Sequence, residues 1–185
     1  AAAALSRQVT QSQDAYAVQD GRAEGKATAP QFVKQYRAVI AGAPDAQLPA
    51  AGVLRDYLFK DSRKGRVFPV SRLRKGVREA VLEYRILATA GENSLAEITL
   101  HTGRTHQIRV HFASIGHPLA GDDLYGGRRD RIGRQALHCA KQTFRVPEYT
   151  EVPDGICIRT PVSAGTGRTV TVESPLPQDM ADLLS

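Results

Sequence analysis

The sequence has only two cysteines, no long apolar run and no methionine at its first position. The cysteines, Cys139 and Cys157, stand alone in a chain of 185 residues, without the paired spacing of a metal-binding motif. Two isolated cysteines predict buried free thiols in a reducing compartment rather than a disulfide framework. No segment approaches the roughly 20 apolar residues of a membrane span. Residues 1–5 are too short, and lack the basic flank, for a signal peptide. The sequence therefore predicts a soluble, cytoplasmic protein.

The charge and composition favour one ordinary domain with a polyanionic partner. Lysine and arginine number 25 against 19 aspartates and glutamates, which gives a net charge of +6 and an isoelectric point near 9.6. A chain of 185 residues that is 42% hydrophobic can build a single core. Positive charge fits nucleic acid, and an ordinary basic surface accounts for it equally well.

Turn-forming residues and alternating apolar residues predict several strands and a few helices. Residues 80–89 and 94–101 are expected to pair, because residues 90–93 supply a short turn between them. The other segments with strand-forming sequences are 32–41, 135–146, 156–160 and 169–173. The remaining predictions are a helix over 1–13, a loop over 14–31 and a surface loop over 148–154.

Two segments rich in arginine and lysine are candidate phosphate contacts. The first runs over 53–78, has no acidic residue between Ser62 and Arg78, and is predicted to be a basic hairpin that projects from the body. The second follows Tyr125 and combines three glycines with four arginines. Solvated loops that bind nothing would have the same composition. The candidate contacts in the two segments are Lys64, Arg66, Arg72, Arg74, Arg128 and Arg129.

The stretch 100–127 is the centre of the sequence. Ile108, Phe112 and Ile115 follow the spacing of an apolar helix face, and Gly116 is expected to end that helix. Thr105 is the predicted N-cap. Arg104 and Arg109 lie near the helix start, where free backbone N–H groups favour an anion such as a nucleic-acid phosphate.

This stretch resembles the third sequence motif of the RluA-type pseudouridine synthases. Thr-Gly-Arg-Thr-His-Gln-Ile-Arg-Val-His occupies 102–111, Gly-His-Pro occupies 116–118, and Gly121, Asp122 and Tyr125 follow. Residues 32–41 resemble the family's Lys-x-Tyr-x-Ala-x-Val strand, and residues 174–184 resemble its closing Ala-Pro-Leu-Pro segment and helix. The resemblance implies an α+β fold: a mixed, mainly antiparallel sheet with flanking helices.

The resemblance also implies that the parent protein isomerises uridine to pseudouridine in ribosomal or transfer RNA, without a metal or organic cofactor. In the family an aspartate acts on the sugar, and an arginine of the third motif pairs with it and keeps it ionised. That arginine corresponds to Arg109. The family's tyrosine, which lies against the flipped target base, corresponds to Tyr36. Arg104, His106 and Gln107 have the implied roles of holding RNA or shaping the pocket. The alternatives are a tyrosine packed in a sheet and a surface salt bridge for the arginine.

The family's aspartate motif, His-Arg-Leu-Asp-x-x-Thr-Ser-Gly, does not occur in the sequence. Asp14 and Asp20 lack the motif around them. We therefore expect residues 1–185 to be a single catalytic domain that is incomplete at its N-terminus, and to be inactive without the upstream aspartate. Such a fragment is still expected to bind RNA weakly.

Two other functions remain open at this level. One is a non-catalytic RNA-binding module derived from a pseudouridine synthase, and the other is a small-molecule hydrolase that uses the histidines. His101, His106 and His111 are five residues apart, which is about 140° on a helix, so they do not converge on a metal. No membrane and no obligate protein partner is implied.

Overall fold

The computed structural model describes residues 32–147 and 167–185. Several predictions lie outside these residues: the helix over 1–13, the loops over 14–31 and 148–154, the strand over 156–160, and the state of Cys157. The structural findings below concern the described residues alone.

In the described part of the chain, seven strands form one sheet in the order β3-β2-β4-β5-β1-β6-β7. All neighbouring strands are antiparallel. The strands are β1 (Phe32–Ala41), β2 (Ala51–Asp61), β3 (Arg66–Val70), β4 (Val77–Ala90), β5 (Asn93–Leu100), β6 (Leu137–Pro147) and β7 (Gly167–Glu173). Two short α-helices accompany them, α1 (Gln107–Ser114) and α2 (Gln178–Ala181), with single 3-10 turns at Asp123–Tyr125 and Asp182–Leu184. The α+β prediction is confirmed.

The hairpin of β4 and β5 delivers the chain to the central stretch. Ala90 pairs with Asn93, so Gly91 and Glu92 form a two-residue turn, and Gly91 has the positive φ of 55° that such a turn needs. The predicted pairing of these strands is therefore confirmed. At the far end of the hairpin, the backbone N–H of Thr102 donates to the carbonyl oxygen of Val81, which anchors the start of the next loop on β4.

Both faces of β1 are covered because its side chains alternate between two cores. Ala38 and Ile40 join the cluster that contains Phe112 of α1. Val39 points the other way, toward the cluster that contains Met180 of α2. Helix α1 therefore lies on one face of the sheet, and its neighbouring residues are held against the middle strands.

The basic segment over 53–78 does not project as a separate hairpin. Strand β2 pairs with β4 from Ala51 to Phe59 as well as with β3, so the segment forms one edge of the main sheet. The prediction of a projecting hairpin is wrong, because the apolar side chains of Leu58 and Val67 are buried against α1. Among the described residues, no helix is long and apolar enough to cross a membrane.

Candidate active site

The loop that leads into α1 is shaped by Gln107. Its side-chain oxygen accepts hydrogen bonds from the Thr102 hydroxyl at 2.8 Å and from the backbone N–H of Arg104 at 2.9 Å. Its side-chain nitrogen donates to the Val81 carbonyl oxygen at 3.0 Å, and the residue is only 2% exposed. Gln107 therefore holds this loop against β4, and the two roles proposed for it stay predictions.

The same interactions explain why the predicted N-cap is wrong. Helix α1 begins after His106 rather than Thr105, and no side chain caps it. His106 has φ 53°, which is uncommon for a residue other than glycine and is typical of a tightly constrained site. Gln107 binds the preceding loop to β4, so the chain must turn sharply at His106 to enter the helix.

The rest of α1 follows the prediction. Ile108 and Phe112 are buried in the core, and Ile115 packs against it. Gly116 has φ 88°, and the N–H of His117 donates to the carbonyl oxygen of Phe112, which closes the helix end.

Arg109 is bound by a carboxylate that the sequence analysis did not assign to it. Its Nε donates to Oδ2 of Asp122 and its Nη2 donates to Oδ1, both at 2.7 Å, so the two groups form a bidentate pair. The side chain of Asp122 is 0% exposed and that of Arg109 is 14% exposed. Hydrogen bonding by Asp122 is the main cause that raises the pKa of Arg109, so the guanidinium stays charged. The alternative for Arg109 was a surface salt bridge: the structure shows a salt bridge, but one whose carboxylate is fully buried, and the catalytic role of Arg109 stays a prediction.

The loop that holds Asp122 can be built only with glycine at two points. Gly121 has φ 75°, and a side chain there would collide with the carbonyl oxygen of Arg134. A side chain at Gly127 would collide with the carbonyl oxygen of Leu119. The N–H of Gly127 donates to the backbone oxygen of Asp122 at 2.7 Å. The loop is thereby folded tightly around the aspartate.

Tyr125 connects this loop to β3 and to the start of α1. Its hydroxyl oxygen lies 2.9 Å from the backbone nitrogen of Val67 and 2.9 Å from Nδ1 of His106. The guanidinium carbons of Arg109 and Arg66 lie 4.9 and 5.1 Å from the centre of its ring. Burial, and then the positive charge of Arg109, lower the pKa of His106.

Tyr36 lies on the sheet face that α1 covers, opposite Cys139 of β6. Burial, and then interaction with Cys139, raise the pKa of Tyr36 to about 12, so its phenol is neutral. Arg109 is bonded to Asp122 and lies against Tyr125, whereas Tyr36 lies next to Cys139. The two predicted catalytic residues therefore lie on the same side of the sheet, and the contacts given for one do not include the other.

The predicted RNA contacts fall into three groups. Arg66 is partly buried against Tyr125, and Lys64, Arg72 and Arg74 are exposed around the same sheet edge. Arg104 is partly buried and donates from Nε to the Glu79 carbonyl oxygen at 2.9 Å. Arg128 and Arg129 are bound by acidic neighbours, at 2.7 Å to Asp130 and 2.9 Å to Asp123 respectively. At the edge formed by β2 and β3, Lys64, Arg72 and Arg74 are exposed and form no ion pair with an acidic side chain in the described part of the chain.

Sequence reasoning missed Asp122 and Tyr125 as members of the site. Both stand in the Gly-Asp and Tyr positions of the third motif, but no function was assigned to either. The only signal in the sequence was their place in the motif, since the need for the flanking glycines becomes visible only in the structure.

This fold and site define an α+β domain with a buried arginine–aspartate pair beside a basic sheet edge. A family described as RNA pseudouridylate synthase matches residues 23–114. An uncharacterized RNA pseudouridine synthase of Chlorobaculum parvum is 31% identical over 170 residues, covering 81% of this chain and 45% of the relative. Ribosomal large subunit pseudouridine synthase D of Neisseria meningitidis is 33% identical over 162 residues, covering 81% and 37%.

A solved structure of a similarly named protein has a similar fold. The human RNA pseudouridylate synthase domain containing 1 is similar with a TM-score of 0.56 and 27% identity, covering 78% of this chain and 55% of that one. The chain belongs to the RNA pseudouridylate synthase family, so the resemblance found in the sequence is confirmed. It spans less than half the length of the curated relatives described above.

Proposed function

We propose that the protein to which this chain belongs converts uridine to pseudouridine in ribosomal or transfer RNA, and that the chain supplies the arginine side of the reaction site. The observation that carries this proposal is the partly buried guanidinium of Arg109, which two hydrogen bonds to a fully buried aspartate hold in place. A fixed positive charge in a partly buried site keeps a nearby carboxylate ionised, which is what the reaction needs.

Asp122 is not the reacting carboxylate in this proposal. Its side chain is fully buried and both of its oxygens already accept from Arg109, so it cannot reach a sugar carbon. The Nη1 group of Arg109 takes no part in this pair and remains available for a second anion. We propose that the reacting aspartate comes from outside these 185 residues, and that the chain alone, taken as a single domain, is inactive.

The RNA would lie across the basic sheet edge. Lys64, Arg72 and Arg74 are exposed there, and Arg66 joins them to Tyr125 and the site. Contacts from these cations to phosphates would give affinity without sequence information. Arg104, Arg128 and Arg129 are secondary contacts in this proposal. Tyr36 would lie against the target base, and the location is the cytoplasm, where both RNA classes are found.

A non-catalytic RNA-binding module is the second candidate. The observation that favours it is the absence of the family's aspartate motif from the sequence. The hydrolase alternative has no such support, because the five histidines have separate neighbours. These are Glu83 for His101, Tyr125 for His106, Asp56 for His111, Asp45 for His117 and Ser174 for His138.

The test is release of tritium from C5 of uridine in ribosomal and transfer RNA, measured for this chain and for a version extended upstream by the segment of a relative that carries the aspartate. We expect no release from the chain and release from the extended version. Arg109→Gln should abolish release by the extended version while RNA affinity changes by less than about threefold. Arg55→Gln is the matched control, since Arg55 pairs with Glu79 on the surface.

Unchanged turnover in Arg109→Gln would contradict the role of Arg109, and RNA binding without turnover by the extended version would favour the binding module. RNA affinity measured at several salt concentrations tests the sheet edge. The double variant Arg72→Gln with Arg74→Gln should reduce the slope of log affinity against log salt by about 2. An unchanged slope would remove the sheet edge from the RNA-binding surface.

A further inference from the structure

We propose that Tyr125 is a positioning residue that fixes His106 as its Nε2–H tautomer and so presents a neutral hydrogen-bond donor to an oxygen of the RNA backbone. This inference rests on the proposed function for the identity of the ligand. The tautomer itself follows from contacts within the chain.

The hydroxyl of Tyr125 has one proton to donate. The backbone N–H of Val67 can only donate, so the phenol oxygen accepts at that contact. Tyr125 is 7% exposed, and Nδ1 of His106 is the acceptor within reach of its proton among the described residues. If Nδ1 carried a proton instead, the buried hydroxyl proton would lose its partner, at a cost of about 1–3 kcal/mol in general. The hydrogen-bond network therefore leaves Nδ1 bare and places the imidazole proton on Nε2.

The charges around His106 also oppose a doubly protonated ring. Burial lowers its pKa most and the positive charge of Arg109 lowers it next, whereas Asp122 raises it and Lys60 has a smaller lowering effect. Arg66 is a further cation against the same tyrosine ring. Because an imidazolium would also place a second donor against the Tyr125 hydroxyl, the neutral form is favoured at neutral pH.

The contact with Tyr125 orients the ring of His106. His106 is the one residue other than glycine with a positive φ in the described part of the chain, so the residue that carries this ring lies at a sharp turn into α1. Nδ1 is turned toward Tyr125, which leaves Nε2 on the opposite side of the ring, and His106 is only partly buried. No described protein group accepts a hydrogen bond from Nε2.

A second unpartnered donor lies on the same tyrosine. The Nε atom of Arg66 is buried without a hydrogen-bond partner, and its guanidinium lies over the Tyr125 ring. The Nε2–H group of His106 lies beside the positive charges of Arg66 and Arg109, which share the Tyr125 ring, and this combination fits a ligand that offers oxygen acceptors and negative charge. An RNA phosphate with its neighbouring ribose has both properties.

The direct test is nitrogen-15 NMR of the histidine rings in this chain, which distinguishes the two tautomers and the charged form. We expect the Nε2–H tautomer for His106 at pH 7. In Tyr125→Phe, which keeps the ring but removes the hydroxyl, we expect a mixture of tautomers and a raised His106 pKa, since the bond that stabilised the bare Nδ1 is gone. Tyr84→Phe is the matched control, because it removes a hydroxyl from the core beneath Phe112 and should leave His106 unchanged. An Nδ1–H or charged His106 in the wild type would overturn the proposal.

The functional test is binding of a uridine-containing RNA hairpin between pH 6 and 8. Tyr125→Phe should weaken binding about fivefold at pH 8, the typical effect of one misaligned hydrogen bond, with a stronger pH dependence than the wild type. His106→Leu should lose the same factor, and His106→Gln, which keeps a donor, should recover part of it. With the Nε2–H tautomer established, unaltered affinity in Tyr125→Phe and His106→Leu would overturn the positioning role. If the wild type bound no RNA, the result would count against the proposed function. The tautomer part of the inference would still be tested by the NMR measurement, which does not depend on RNA.

Discussion

Arg109 and His111 lie two residues apart on α1, but the polar atoms of Arg109 are hydrogen-bonded to a carboxylate and those of His111 are not. Arg109 has a fully buried aspartate on two of its nitrogens, both at 2.7 Å. His111 is 0% exposed, both of its ring nitrogens lack a hydrogen-bond partner, and the nearest carboxylate oxygen, on Asp56, is 3.7 Å away.

As a result Arg109 is kept charged and His111 is kept neutral. Asp122 raises the pKa of Arg109, whereas burial lowers the pKa of His111 to about 4. Burial also raises the pKa of Asp56. Helix α1 is only two turns long, yet Arg109 faces the loop of Asp122 and His111 faces β2. The ion pair with Asp122 offsets the cost of burying Arg109, whereas no hydrogen bond offsets the cost of burying the polar ring of His111.

The largest effect is expected from breaking the Arg109 pair. Asp122→Asn should lower the free energy of unfolding by about 3–5 kcal/mol, because it leaves a largely buried guanidinium without its counter-charge. Urea unfolding at pH 7 measures this. The control is Asp123→Asn next to it, whose exposed pair with Arg129 should be worth less than about 1 kcal/mol. If both variants lost the same free energy of unfolding, burial would not explain a difference in strength between the two ion pairs.

The next effect is the pH dependence that His111 imposes. Its pKa is about 4 in the folded state against about 6.5 when unfolded, so the unfolded chain binds the proton more readily. Stability from this group is complete above pH 6.5 and is lost as the pH falls toward 4. At pH 5 the loss should be about 2 kcal/mol. Asp56 acts in the opposite direction, because a raised carboxyl pKa favours the folded state at low pH.

The measurement for this dependence is the free energy of unfolding at pH 5 and pH 8 for the wild type and His111→Leu. The wild type should lose stability at the lower pH relative to the variant. A difference between the two proteins that stays constant with pH would show that His111 does not titrate in this window.

The smallest effect is expected at pH 8, where His111 is neutral in both states. His111→Leu should raise the free energy of unfolding by about 1 kcal/mol, because an apolar side chain of similar size removes two unsatisfied nitrogens from the core. Urea midpoints at pH 8 would show it. The matched control is Val110→Leu, which enlarges a buried residue next to it and should destabilise. A His111→Leu variant that is less stable than the wild type at this pH would mean that a solvent molecule or another group satisfies the ring.

Local patterns in the sequence were sufficient for much of the fold. The turn between β4 and β5 was predicted because a glycine at a two-residue turn is a local signal. Helix α1 and its end at Gly116 followed from the spacing of Ile108 and Phe112. The N-cap at Thr105 was wrong because Gln107 uses its amide on β4, an interaction between residues 26 apart in the chain.

The site was predicted only in part for the same reason. Arg109 was found from the motif, but its partner Asp122 is 13 residues away and the bond from Val67 to Tyr125 spans 58 residues. No periodic pattern relates residues across such distances, since the turns between them decide which side chains meet.

The sequence by itself determined five of the seven described strands, the central helix and the family, because alternation, helical spacing and motif spacing are properties of neighbouring residues. Only the tertiary structure decided that the basic segment is a sheet edge, that Asp122 binds Arg109, and that His111 has no partner. Those outcomes depend on how distant segments pack, and packing fixes burial, which in turn sets the charge that each side chain carries.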